Sequence, residues 1–262
     1  MFTAVLNRID ALGERVTGYG RAFGEVLYLF ANANAGLFQL RGGQAFYLRQ
    51  TLIQQLYFTA VQSFWLVLVV GIAMGIMAVL PLLAFGVGSV DLQAKILNVV
   101  MFHQLIPFLT VLIVIGRSGT AVTAELGHMR SASVIDSLLA MGIEPHRFLI
   151  LPRMLGLSLS LMILTLWGDI GAVIGAGLFN HIKGAASLPN FLDACARTVT
   201  PLSAVITGLM AASYGIVVTL VNAHFGFKSR SAVDVQRHLS PAFVNAFLAV
   251  IVITALFSLI RT

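Results

Sequence analysis

The sequence predicts an all-α, polytopic membrane protein with five transmembrane helices. Hydrophobic residues make up 58% of the 262 residues and charged residues only 10%, whereas soluble domains carry about 25% charged residues. A water-soluble fold of this length would have too few charges to cover its surface. In addition, five segments contain enough consecutive apolar residues to cross a hydrocarbon core of ~30 Å as helices.

Residues 1–43 are predicted to form an amphipathic region that lies in the membrane interface. Their apolar residues recur at steps of three and four, which places them on one stripe of a helix, opposite the charged residues. A helix of this kind lies flat in the interface, and packing on the protein's own surface is the alternative. Glycines at positions 36, 42 and 43 end the helix, and residues 44–262 form a membrane domain.

The five candidate spans cover residues 61–80, 97–116, 154–178, 201–222 and 242–260. Asp169, in the third span, is the only Asp, Glu, Lys or Arg that they contain. Two longer stretches, residues 44–80 and 148–179, have room for a re-entrant segment. A count of four or six spans is therefore the alternative.

The basic residues predict the orientation of the spans. Twelve of the 16 Lys and Arg fall on the side that receives the N-terminal region, residues 117–153 and residues 223–241. The positive-inside rule places this side in the cytoplasm and the C-terminal end on the opposite side. This asymmetry accounts for the net charge of +6, because no Lys/Arg cluster with interleaved aromatic residues indicates nucleic-acid binding.

Residues 117–153 form a polar island between the second and third spans. Within it, Ser133 to Gly142 is predicted to be a short helix, because Ser133 and Asp136 have capping-box spacing and Gly142 precedes Pro145. Its apolar stripe includes Leu138 and is typical of a helix that docks in a groove of another protein. Packing of this stripe on the spans is the alternative.

Glu125 is predicted to pair with a residue outside its own helix. If 117–130 is helical, Arg117 lies on the same face but about 12 Å away. Arg130 is five residues on, about 140° around the helix, so it is no natural partner either. Arg147, Arg153 or a basic residue of a partner protein remain as candidates.

Two features inside the spans have open interpretations. Placing the charge of Asp169 at the centre of a span costs about 2.5–3.5 kcal/mol on insertion scales, so this residue is expected to be protonated, paired or facing water. It belongs either to a cavity or proton-sensitive site or to a hydrogen-bonded clamp between helices. Gly71 with Gly75, and Gly171 with Gly175, have the spacing that lets helices approach closely. These pairs indicate either packing within the chain or a dimer face.

Several kinds of site are excluded by the motifs. The P-loop that binds ATP needs a Gly-Lys pair, and the chain has none. No H-E-x-x-H pattern occurs, the six histidines are scattered, and Cys195 is the single cysteine. We therefore expect no metal site, no cofactor site and no intrachain disulfide in this chain.

Two alternative functions receive weaker support. Residues 116–119 read Gly-Arg-Ser-Gly, which fits the G-x-S-G motif of rhomboid-type intramembrane serine proteases, with Ser118 as nucleophile and His224 as base. A four-residue motif with two glycines is a weak signal. A secondary transporter requires an inverted repeat or several intramembrane ionisable residues, and neither is found in the sequence.

Residues 116–130 read GRSGTAVTAELGHMR, which resembles the signature of MlaE-type permeases. These are the membrane subunits of bacterial ABC transporters that move lipids together with MCE-domain proteins. Residues 135–138, 141–145 and 151–153 fit the same pattern in order, and the resemblance covers about residues 40–260. In one departure, many such permeases carry Arg-Glu-Leu-Gly-Pro in the second span, where residues 103–107 here read His-Gln-Leu-Ile-Pro.

The resemblance implies a non-catalytic permease subunit in the bacterial inner membrane, with its C-terminal end in the periplasm. It moves phospholipid or a related hydrophobic molecule between that membrane and a periplasmic MCE-domain protein. A second copy of the chain completes a lipid cavity, and a separate ATPase subunit binds ATP and Mg²⁺. A small STAS-domain protein is a further candidate partner.

The resemblance also implies roles for particular residues. Residues 117–153 correspond to the coupling segment that docks on the ATPase. The candidate coupling residues are Arg117, Glu125, Arg130, Asp136, Leu138, Met141, Gly142, Arg147 and Arg153. Apart from the resemblance, His103, Gln104 and Asp169 are the candidates for polar residues of the lipid cavity or of the membrane interior.

Overall fold

The computed structural model describes residues 42–86 and 89–261, and every secondary-structure element in these ranges is a helix. The predicted interfacial helix of the N-terminal region lies outside the described residues. The ten α-helices are α1 (Gly42–Leu56), α2 (Gln62–Ala84), α3 (Val90–Ile96), α4 (Ile106–Val114), α5 (Thr120–Ser131), α6 (Val134–Ala140), α7 (Leu151–Ile182), α8 (Leu188–Thr198), α9 (Pro201–Lys228) and α10 (Ala232–Arg261). Four π-helical segments connect some of them without a break, at Tyr57–Val61, Leu97–Leu105, Ile115–Gly119 and His146–Ile150.

Five continuous helices are long and apolar enough to cross a bilayer, which confirms the predicted span count. From the first to the fifth they are Arg49–Ala84, Val90–Ser131, Phe148–Ile182, Pro201–Lys228 and Ala232–Leu259. The two long stretches are each a single unbroken helix, so the re-entrant alternative is wrong. The spans are longer than predicted because helix continues past the apolar residues into polar sequence.

The polar island is therefore organised differently from the prediction. Its first part, through Ser131, is a direct extension of the second span, and the separate part is only α6 with the connection to the third span. The helical expectation for residues 117–130 is confirmed. The island is thus held on a long helix that projects beyond the apolar part of the second span.

Only the C-terminal end of α6 agrees with the prediction. Ser133 lies in the left-handed region with φ 58°, and its side chain makes no cap. Its N–H instead donates to the carbonyl of Arg130, so Ser133 terminates α5, and the predicted capping box is wrong. At the other end, Gly142 has φ 73°. Its N–H donates to the Leu139 carbonyl, and the Ile143 N–H donates to the Leu138 carbonyl. These bonds confirm the predicted C-terminal glycine cap.

The third span is the centre of the bundle. In its most apolar 18-residue stretch 72% of the residues are buried, against 22% in the first span and 17% in the fifth. The first span packs on it through glycines. A Cβ atom added at Gly71, Gly75 or Gly175 would lie 2.4, 2.0 or 2.2 Å from a backbone oxygen of the facing helix. The closely spaced glycines are therefore intrachain contacts between these two spans.

The fourth span joins the second, third and fifth spans in the main apolar core. Tyr214 is fully buried there among Val111, Leu157 and Val250. Its hydroxyl forms a 2.7 Å hydrogen bond with the Thr254 hydroxyl of the fifth span. A buried tyrosine with a satisfied hydroxyl fixes the spacing of these helices.

Candidate functional site

A cavity of about 880 Å³ lies in the half of the bundle away from the island. The second, third and fourth spans and α8 line this open cavity, and its wall is mostly apolar, with Phe102, Leu166, Val173, Leu192 and Leu209 among the lining residues. This volume is typical of a pocket that takes one small hydrophobic molecule. The cavity is the first candidate site.

The cavity brings together two of the three polar residues that were predicted for it. His103 and Asp169 both line the wall. The Oδ1 atom of Asp169 is buried and has no hydrogen-bond partner in the described ranges. No interhelical clamp therefore forms on this carboxyl group within that part of the chain.

Gln104 lies elsewhere, because neighbouring residues point about 100° apart around a helix. Its side-chain amide donates to the Ser258 hydroxyl at 3.1 Å, which joins the second and fifth spans. Gln104 is thus an interhelical polar contact of the spans and does not line the cavity wall.

The contribution of α8 was missed, because the sequence analysis made no prediction for residues 188–198. Its residues Leu192, Cys195 and Val199 close one side of the cavity. The amphipathic pattern of residues 188–198 was the available signal. Burial also raises the pKa of the Cys195 thiol to about 11, so the thiol is protonated and unreactive at neutral pH.

At the opposite end of the bundle, an ion pair holds the island to the third span. Arg153, which is only 3% exposed, donates to Glu125 Oε1 at 2.6 Å and to the Leu149 carbonyl at 2.7 Å. The prediction that Glu125 pairs outside its helix is confirmed, and Arg153 is the partner. The side chain of Arg147, the other candidate within the chain, lies outside the described residues.

Arg117, a further charged residue of the island, also makes its contacts within the chain. Arg117 donates to Ser63 Oγ at 2.9 Å and to Gln62 Oε1, and its guanidinium lies 5.2 Å from the centre of the Phe58 ring. These contacts join the second span to the first. Arg117 is thus part of the scaffold that supports the island.

Arg130 bridges the turn between α5 and α6. Its guanidinium donates to Asp136 Oδ1 at 2.6 Å. Asp136 was predicted to form a capping box with Ser133 on α6, but its partner in the structure is Arg130. Both side chains keep some exposure, so the contact orients α6 more than it stabilises it.

The helix α6 has an inward and an outward side. Ile135 is buried, and Leu138, one turn on, packs beside it against a cluster that includes Leu126 and Leu149. Leu138 is only partly buried, and its i, i+3 relation to Ile135 turns part of it inward. Its role in docking stays a prediction. The exposed apolar residues are Val134, Leu139 and Met141, at 41%, 55% and 66% exposure. These three residues, which we call the outer face, flank the stripe of Ile135 and Leu138 on both sides, since successive helical residues are about 100° apart.

Ser118 does not have the surroundings of a catalytic serine. It lines a small pocket of about 280 Å³ next to Glu125 and Arg153, and its hydroxyl is buried without a hydrogen-bond partner in the described ranges. His224 therefore makes no hydrogen bond to it. A serine nucleophile needs a base within hydrogen-bond reach, so the structure does not favour the protease alternative.

Comparisons with known proteins give a consistent result. A family model described as Permease MlaE matches residues 52–260. The "Probable ABC transporter permease protein" of Rickettsia felis is 27% identical over 255 residues, which cover 95% of each chain. The "Intermembrane phospholipid transport system permease protein MlaE" of Haemophilus influenzae is 30% identical over 182 residues, 65% of this chain and 66% of that one.

A more distant relative comes from a plant. The protein "TRIGALACTOSYLDIACYLGLYCEROL 1, chloroplastic" of Arabidopsis thaliana is 27% identical over 131 residues, which cover 50% of this chain and 37% of that one.

Proposed function

The chain belongs to the MlaE permease family, and we propose that it is the membrane subunit of an ABC transporter that moves phospholipid. The observation that carries this proposal is the apolar cavity of about 880 Å³ inside the bundle. A wall of this kind accepts acyl chains, because it takes apolar surface out of water. The Haemophilus relative is named as a phospholipid transport permease, which supports the same substrate class.

The energy for transport comes from a separate ATPase subunit that binds ATP and Mg²⁺. The sequence has no P-loop of its own, and two relatives are named as permeases of ABC or phospholipid transport systems. The chain itself acts as a non-catalytic subunit. The ATPase docks on the island, where the ion pair of Glu125 with Arg153 transmits the movement of α6 to the third span.

The other partners in this proposal are those that the resemblance to MlaE-type permeases implies. The cavity lies in the half of the bundle away from the island, so a periplasmic MCE-domain protein receives or delivers the lipid at that end. A second copy of the chain completes the lipid path. A small STAS-domain protein binds on the ATPase side.

The chain lies in the inner membrane, with the island and the N-terminal region in the cytoplasm and the C-terminal end in the periplasm. Ala132 in the island and Ala185 after the third span are both exposed, so Ala132→Cys and Ala185→Cys are matched labelling sites. A membrane-impermeant maleimide added to intact spheroplasts should label Ala185→Cys only. Labelling of Ala132→Cys under the same conditions would reverse the orientation.

The native cysteine provides the control for this labelling. With a thiol pKa of about 11, roughly one Cys195 side chain in a thousand is ionised at pH 8. We therefore expect no labelling of the unmodified chain at pH 7–8. Rapid modification of Cys195 at pH 7 would contradict the buried position of α8.

The outer face supplies the test of docking. A carboxylate cannot enter an apolar groove without a partner, so Leu139→Asp and Met141→Asp should abolish co-purification of the ATPase while the chain still inserts in the membrane. Phe85→Asp is the matched control, since Phe85 is 85% exposed at the other end of the bundle. Normal ATPase recovery with both outer-face variants would contradict docking on α6.

A further inference from the structure

The wall of the large cavity carries one carboxyl group, from Asp169, one imidazole, from His103, and no Lys or Arg among the described residues. Among its lining residues in the described part of the chain, Asp169 is the only carboxylate, and none is Lys or Arg. His103 is the only other ionisable side chain there apart from the Cys195 thiol. A ligand that enters the cavity therefore meets a mostly apolar wall with few groups that can pair with a charge.

Several polar neighbours of Asp169 already have partners. Asn98 donates to the Thr198 carbonyl at 2.6 Å, and Thr165 donates to the Leu161 carbonyl at 2.9 Å. Asp169 differs from them, because its buried Oδ1 atom receives no hydrogen bond from the described residues. A carboxyl oxygen in a mostly apolar wall stays unsatisfied until a ligand supplies a hydrogen-bond donor.

We propose that Asp169 determines the specificity of the cavity and selects a lipid with an ammonium-bearing headgroup over an anionic one. An ammonium group supplies N–H donors and a compensating charge in one place. An anionic headgroup carries no positive group that could pair with Asp169, and its own charge meets no Lys or Arg among the described lining residues. This inference rests on the proposed lipid transport and adds the class of headgroup to it.

The test compares three lipids on the full-length chain, purified in detergent with its partner subunits. The probes are phosphatidylethanolamine, phosphatidylcholine and phosphatidylglycerol with identical, fluorescently labelled acyl chains. We expect the ethanolamine lipid to bind about tenfold tighter than the glycerol lipid. The choline lipid should fall between them, because it carries the positive charge without an N–H donor.

Two variants assign this preference to the carboxylate. Asp169→Asn removes the charge and should bring the two affinities to within about twofold of each other, whereas Asp169→Glu should keep the preference. Thr165→Val is the matched control, since Thr165 lines the same wall but bonds its own backbone. This control should leave the ratio of the two affinities unchanged.

The outcomes separate this inference from the proposed function. Equal binding of the ethanolamine and glycerol lipids by the unmodified chain overturns the role of Asp169 and leaves lipid transport standing, and this measurement needs no variant. An unchanged preference in a monodisperse Asp169→Asn sample also overturns it. Binding of none of the three lipids contradicts lipid transport itself.

Discussion

Replacing Gly75 with alanine is expected to lower the free energy of unfolding by about 3 kcal/mol, the upper part of the range for overpacked cores. The added Cβ atom would lie 2.0 Å from the Ala172 carbonyl oxygen. This neighbour is backbone, so no side chain can rotate away, and the first and third spans must separate. Each kcal/mol shifts the melting temperature of a chain of this size by about 2–4 °C, so we expect a decrease of about 10 °C.

Gly116→Ala is the control for this experiment. An added Cβ atom there meets only the Phe243 ring, at 3.7 Å, which is an ordinary contact. Both variants are heated in detergent, and the monodisperse fraction is measured by size-exclusion chromatography. If Gly75→Ala has the same melting temperature as Gly116→Ala and the unmodified chain, then the first and third spans are not in close backbone contact at Gly75.

Removal of Glu125 should have the second large effect. Arg153 is 3% exposed, and without Glu125 its guanidinium keeps only the Leu149 carbonyl as a partner. Breaking a fully buried pair costs about 3–5 kcal/mol. Because Glu125 is itself about half exposed, we expect Glu125→Ala to cost about 2 kcal/mol and to uncouple ATP hydrolysis from lipid transfer.

Asp193→Ala is the matched control for the ion pair. Asp193 bonds Arg197 at the same 2.6 Å distance, but both side chains are largely exposed, so its removal should cost about 0–1 kcal/mol. The measurements are melting temperature and the ratio of lipid transferred to ATP hydrolysed in reconstituted vesicles. Equal behaviour of Glu125→Ala and Asp193→Ala would mean that burial of Arg153 has no consequence.

The fold could be predicted largely from the sequence because a bilayer admits few solutions. Long uncharged segments must be helices that satisfy their own backbone, which gave five spans. The ends of these spans could not be predicted in the same way. Residues 117–131 are polar, and their helix is supported by specific contacts such as that of Arg117 with Ser63.

The candidate site was predictable only in part. The partner of Glu125 was among three candidates, because helix geometry excluded Arg117 and Arg130, but the choice of Arg153 depends on the path of the third span. The partly inward position of Leu138 and the interhelical contact of Gln104 depend on neighbouring helices that are distant in sequence. Helical periodicity specifies a face of a helix and does not specify what covers it.

The most direct test of the central proposal is ATP-driven lipid transfer by the purified complex in vesicles. The complex is isolated through this chain, and labelled phosphatidylethanolamine is followed from donor to acceptor with ATP and Mg²⁺ present or absent. The proposal predicts transfer that requires ATP and is lost in Met141→Asp. Lipid transfer that proceeds equally without ATP, or that is unaffected in Met141→Asp, would contradict it.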